Sequence, residues 1–141
     1  MKRTLLALAL GSLIVMQPSL IGQSYGKPVS IIQLIAVPQK FNGRVISVNG
    51  LLTLGEHPFL FMHEEDAKHM ILANAVRIKP SKDMEREEQS INQKYVTITG
   101  TFRAARTGTE SWEGGAIVEI QSCTVWSDPQ NPRAAERPSA H

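Results

Sequence analysis

The densest chemistry in this 141-residue chain is the stretch His63-Glu64-Glu65-Asp66-Ala67-Lys68-His69, where two imidazoles and three carboxylates crowd seven positions. Imidazole and carboxylate are ligands for zinc and other divalent metals. The zincin arrangement sets two histidines four apart, on one face of a helix. Here they stand six apart, about 240° around a helix of 3.6 residues per turn. A regular helix therefore sends them to different faces. Asp66 and His69, three apart, suit a surface pair instead. His57 lies before an intervening strand and adds no third ligand. The stretch reads as an exposed acidic helix start with no metal.

Nucleophilic chemistry finds less support. Cys123 is the sole cysteine, so no disulfide forms within the chain. It has no neighbouring base, and its apolar surroundings point to an inert packed thiol. Val118 and Ile120 are expected to face inward, which puts Cys123 outward unless a bulge shifts the strand. No G-x-S-x-G, P-loop or G-x-G-x-x-G is present, and Gly108, Gly114 and Gly115 are loop glycines. No catalytic residue and no cofactor is assigned.

The segment from Ala104 to Gly115 is more informative. With its approach it carries Arg103, Arg106, Glu110, Trp112 and Glu113. Cations beside an aromatic ring suit a ligand contact, so Trp112, Arg103 and Arg106 are the candidate binding residues. Arg77, in the short strand Ala75 to Ile78 whose Val76 and Ile78 face inward, is added to them. Trp112 either stacks on a sugar or base or folds back to plug the end of the domain. The absence of an accompanying aromatic row favours the plug. Phe59 and Phe61 share a face that serves equally as core or as platform.

The elements that position these residues follow from periodicity. Met1-Lys2-Arg3, an apolar run from Leu5 to Met16, then Gln17 and Pro18 have the layout of a secretory signal peptide. Gly22 and Ser24 fit the cleavage spacing, giving a leader over 1–24. The run is too short for a membrane span of about 20 apolar residues, so no span remains after cleavage. Removing Lys2 and Arg3 from the 15 Lys and Arg leaves 13, against 13 Asp and Glu. A mature chain with no basic excess argues against nucleic acid as partner.

Beyond the leader, Ser30-Ile31-Ile32-Gln33 has capping-box spacing, and Ile31, Leu34 and Ile35 form one helix face that Pro38 ends. Phe41-Asn42-Gly43 is a turn. Arg44 to Leu54 alternates as a long strand, with Ile46, Val48, Gly50, Leu52 and Leu54 inward and Gly50 marking a bend or bulge. Phe59 to Met62 and Ala75 to Ile78 are short strands, separated by a helical stretch from Glu64 to Ala73. Ser81 caps a mostly solvated helix, Lys82 to Gln93, that offers Met84 and Ile91 to the core. Tyr95 to Arg103 alternates like the first strand, with Val96, Ile98, Gly100 and Phe102 inward. Ile46-Ser47-Val48-Asn49-Gly50 matches Val96-Thr97-Ile98-Thr99-Gly100, as two strands in similar positions would. Ala116 to Trp126 is the last strand. The tail, 127–141, has three prolines and no apolar pattern, and is expected to be disordered.

Five strands, with a short helix before them and a helix between the third and fourth, describe an OB-type Greek-key barrel over 25–126. The phrase Pro38-x-x-Phe41-Asn42-Gly43-Arg44-x-Ile46-x-Val48-x-Gly50, with Leu60-Phe61-x-His63-Glu64-Glu65-Asp66 after it, resembles uncharacterised exported bacterial single-domain OB-fold proteins. The resemblance runs from Val29 to Trp126 and rests on turn and core positions. It implies a fold and periplasmic or secreted location, and says little about chemistry. The expected function is a non-enzymatic exported binding module acting on an envelope protein or small ligand. The alternatives are an OB protein binding oligosaccharide or single-stranded nucleic acid, and a small metal-dependent enzyme.

Overall fold

The computed structural model describes residues 26–105 and 115–126. Residues 1–25, 106–114 and 127–141, which include the expected leader, the expected tail and the candidates Arg106 and Trp112, fall outside them. The described residues form β1 (Lys27–Pro28), α1 (Ile31–Ala36), β2 (Val45–Thr53), β3 (Phe59–Phe61), α2 (Glu64–Lys68), β4 (Ala75–Ile78), α3 (Lys82–Arg86), α4 (Glu88–Ile91), β5 (Lys94–Arg103) and β6 (Ala116–Val125). The sheet order is β1-β2-β3-β4-β6-β5, and β5 returns to pair with β2. Five strands, β2 to β6, thus close into a barrel. All neighbours in it are antiparallel except β4 and β6. This is an OB-type Greek-key barrel. β1 is a sixth strand that the alternation did not announce. Its two residues pair in parallel with Ile46 and Ser47, too few to show a period.

The inward residues make one core: Ile46, Val48 and Leu52 from β2, Leu60, Val76 and Ile78 from β3 and β4, Val96, Ile98 and Phe102 from β5, and Ile117 from β6. Ile31 and Leu34 of α1 join it, as do Met84 and Ile91 of the two later helices. α1 starts at a capping box: Gln33 N–H donates to Ser30 Oγ at 3.2 Å, and Ser30 N–H to Gln33 Oε1 at 3.1 Å. Gly43 takes φ +74°, where side chains are disfavoured. The turn sets Gly43 and Arg44 together against Phe102, with Gly43 N–H on Phe102 O and Phe102 N–H on Arg44 O.

The two matching segments are direct neighbours rather than merely similar positions. Ile46 faces Gly100, Val48 faces Ile98, and Gly50 faces Val96, with no interruption from Val45 to Leu52. β2 therefore has no bulge at Gly50. That glycine serves close packing: a Cβ there would lie 2.7 Å from Leu60 Cγ and 2.7 Å from Phe61 O. The irregularity falls at the other glycine. Between Thr99 and Thr101 the register with β6 jumps from Ser122 to Val118, and Glu119 adopts φ +49°. A Cβ on Gly100 would lie 2.9 Å from Ile117 Cγ2 and 3.0 Å from Val118 O. The missing side chain makes room for the bulge.

Simple alternation therefore misplaces Val118 on β6, while Ile120 packs against the core as expected. Ile117, opposite Phe102, is the buried residue, and Val118 pairs with Thr101 on the other face. Cys123 and Val125 oppose Ile98 and Val96 and pack against the core, so the thiol points inward. Two helical expectations also shorten. The stretch from Glu64 stops at Lys68 because Met70 turns left-handed, φ +51°, before a 3-10 turn at Leu72–Asn74. The Lys82 to Gln93 helix divides at Glu87 into α3 and α4 and ends before Gln93, φ +55°. Ser81 caps it as expected, accepting from Met84 N–H.

Candidate functional site

OB barrels commonly bind oligonucleotides and oligosaccharides on the outer face of their second and third strands and in the adjoining loops. In this chain those strands are β3 and β4. Their outward residues Phe59, Phe61 and Ala75 form a second buried cluster with Leu51, against which Ala67, Leu72 and Tyr95 pack. Phe61 is fully buried, and its ring sits 5.8 Å from that of Phe59, tilted by 53°. The aromatic pair is core, not platform, because α2 and the 3-10 turn roof it.

The acidic stretch supplies the fastening of that roof. Asp66 is buried, 7% exposed, not on an exposed helix start. Its Oδ2 accepts from His63 N–H at 3.1 Å, and its Oδ1 from Asn74 Nδ2 at 2.8 Å. Ile71 N–H returns to Asp66 O at 2.8 Å. His69 pairs with Glu65, Nε2 to Oε2 at 3.4 Å, rather than with Asp66. Tyr95 receives Glu64 N–H on its hydroxyl at 3.2 Å. Among the described residues no three His, Cys, Asp or Glu side chains gather as metal ligands.

Of the candidate binding residues, the structure brings Arg77 and Arg103 onto one outward row. Both are register partners of Ala116, Arg77 across β4 and β6 and Arg103 across β5 and β6. Strands lie about 4.8 Å apart, so the two stand roughly 10 Å from each other over a small side chain. Arg77 is half-buried beside Phe59, its register partner on β3, and Arg103 is exposed. Arg106 and Trp112 lie outside the described residues.

A second candidate site was missed in the sequence. A groove of about 620 Å³ lies over the outer face of β2 and β5. Its floor is Ser47, Asn49 and Thr97, with Thr97 Oγ1 donating to Asn49 Oδ1 at 2.8 Å. One wall is the start of α1, including Ile32 and Gln33, and Met62 and Trp126 also line it. Trp126 is 43% exposed and held edge-on to Tyr95 with ring centroids 6.5 Å apart. None of the lining residues is charged. The outward half of each alternating strand was the available signal, since Ser47, Asn49 and Thr97 are polar, uncharged and adjacent once β2 pairs with β5.

The chain is thus a small OB-type barrel whose usual ligand face is closed and whose open groove is neutral. No family model matches it, and no curated protein matches it. Among solved structures, a Leishmania major Friedlin protein described as an aspartyl-tRNA synthetase is similar over 77% of this chain and 23% of that one, with a TM-score of 0.44 at 9% identity. Among the described residues no helix is long and apolar enough to cross a membrane.

Proposed function

We propose that this protein is a non-enzymatic binding module, exported by the leader over 1–24, whose groove takes an uncharged oligosaccharide. The observation that carries the reading is the groove's composition: hydroxyl and amide side chains on the floor, an exposed tryptophan beside them, and no ionic group. Sugar rings present apolar C–H faces to an aromatic ring and hydroxyls to groups such as Asn49, Ser47 and Thr97. Binding sites of this kind combine apolar walls with a few placed polar groups. A phosphate-bearing ligand finds no cation there. Among the lining residues the hydroxyls of Ser30, Ser47 and Thr97 have no His, Lys, Asp or Glu beside them to activate them, which supports capture as the role.

The test is isothermal titration calorimetry with a panel of neutral oligosaccharides, which reads binding whether or not a tryptophan is present. Binding should be insensitive to salt and should drop at least tenfold in Trp126→Ala. Undiminished binding in that variant, or none across the panel at millimolar sugar, would overturn the proposal.

A further inference from the structure

The polar side chains of the groove are partly engaged with one another, and each amide is engaged through its oxygen. Thr97 Oγ1 donates to Asn49 Oδ1 at 2.8 Å. Ser30 N–H donates to Gln33 Oε1 at 3.1 Å, and Gln33 N–H to Ser30 Oγ at 3.2 Å. A backbone N–H can only donate, so the Gln33 atom it meets is the carbonyl oxygen. These side chains all line the groove. With both amide oxygens turned to protein donors, Asn49 Nδ2 and Gln33 Nε2 are the atoms left to a ligand, each an NH2 group. The Ser30 hydroxyl hydrogen joins them, since its oxygen takes the helix N–H.

Segments distant in sequence build this array of donors. β2 and β5 place Asn49 opposite Thr97. β1 pairs with Ile46 and Ser47, and Val29 N–H bonds Ser47 O at 2.9 Å, so the start of α1 is held at the edge of the same floor. The capping box then fixes Gln33 by its oxygen. Apolar surface lies beside the donors, from Ile32, Met62 and Trp126. No Lys, Arg, His, Asp or Glu is among the lining residues.

Resting on the reading of this groove as an oligosaccharide site, we infer that its ligand carries acetamido groups, as N-acetylated amino sugars do. The groove offers chiefly donors, so the matching ligand group is an acceptor. A sugar hydroxyl can accept from an NH2, but it brings on the same atom a hydrogen that needs an acceptor in turn. An amide carbonyl oxygen accepts and brings no hydrogen. The amide N–H lies on the side opposite the carbonyl and stays toward solvent, because Asn49 and Gln33 are exposed. The acetamido methyl supplies an apolar group for the surface of Ile32 and Met62, and sites of this kind combine apolar walls with a few placed polar groups. A carboxylate also accepts, but it would desolvate a charge where the lining holds no cation.

The test is calorimetric titration of the full chain with the N-acetylglucosamine tetramer of chitin and the glucose tetramer of cellulose. These share their linkage and differ in acetamido against hydroxyl. The acetylated tetramer should bind about tenfold more tightly, the difference of one good hydrogen bond. Asn49→Asp keeps the oxygen that Thr97 donates to, and Gln33→Glu keeps the capping box. Both exchange NH2 for oxygen, and circular dichroism checks that the double variant is folded. In it the acetylated tetramer should weaken about tenfold, and the glucose tetramer, whose hydroxyls can donate to the new oxygens, by less than about threefold. The deacetylated amine tetramer, a donor in place of an acceptor, should bind the parent no better than the glucose tetramer. Equal binding of the two neutral tetramers would overturn this inference and leave the oligosaccharide reading standing. So would a preference that survives in the folded double variant, or an amine tetramer that binds more tightly than the glucose one. Binding of neither neutral tetramer, while another neutral sugar binds, overturns the inference alone; no binding across the whole panel overturns both.

Discussion

Replacing Asp66 by alanine tests whether the acidic stretch is a fastening or a reactive centre. The carboxylate is 7% exposed and accepts from His63 N–H and Asn74 Nδ2. Alanine removes both acceptors and leaves the half-buried Asn74 amide without its partner. Hydrogen bonds to a charged group contribute about 1.5–3 kcal/mol each. Part of that returns because exposed His63 can turn its N–H to water. The expected loss is about 3 kcal/mol, measured by urea unfolding at neutral pH. Asp66→Asn keeps one acceptor oxygen and should lose about half as much. A cycle with Asn74→Ala should give a coupling of about 1–2 kcal/mol, within the range for residues in contact. Because the roof covers Phe59 and Phe61, Asp66→Ala should also raise binding of a hydrophobic dye below the unfolding midpoint. An Asp66→Ala protein within about 0.5 kcal/mol of the parent, with no coupling to Asn74, would refute the reasoning.

Further expectations are more direct. Gly100→Ala should cost about 1–3 kcal/mol by urea unfolding, the usual range for overpacking, because its Cβ would meet Ile117 and the Val118 carbonyl. His63→Ala/His69→Ala should change stability by less than about 1 kcal/mol, as for surface sites, and native protein should carry no stoichiometric zinc by elemental analysis. Burial, with the Glu87 carboxylate nearby, pushes the Cys123 thiol up to about 11. At pH 8 its alkylation by iodoacetamide should therefore run about a hundredfold slower than in the unfolded chain, since the thiolate is the nucleophile. Because the folded value is the higher one, the thiol's contribution to stability is complete below about pH 9 and is lost as pH rises toward 11. Protein exported by its own host should begin at Tyr25, which N-terminal sequencing checks.

The barrel was legible wherever alternation is regular. β2 and β5 are long and their inward positions are branched, aromatic or glycine, so the period was visible, while their direct antiparallel pairing was not. What escaped were features made by contact between distant segments. β6 has apolar residues at 117, 118 and 120, and no local signal says which of them faces in. Gly100, on another strand, decides it by admitting the bulge. α2 likewise reads as a solvated helix until β3 and β4 pair and present an apolar outer face that needs covering.

The site was less legible for the same physical reason. The candidate groove is assembled from residues without local pattern: Asn49 and Thr97 are 48 apart in sequence, and Trp126 reaches it from the far end of β6. Net charge, as a sum over the chain, discards where each sign sits. Arg103 and Arg106 stood out as candidates because they cluster in sequence. The roof ties the observations together. Once α2 closes the face over β3 and β4, the neutral groove is left on the outer face of β2 and β5. The ligand proposed for it is recognised by stacking and hydroxyl contacts rather than by charge. Its binding should therefore hold as salt rises, since screening weakens only charge contacts.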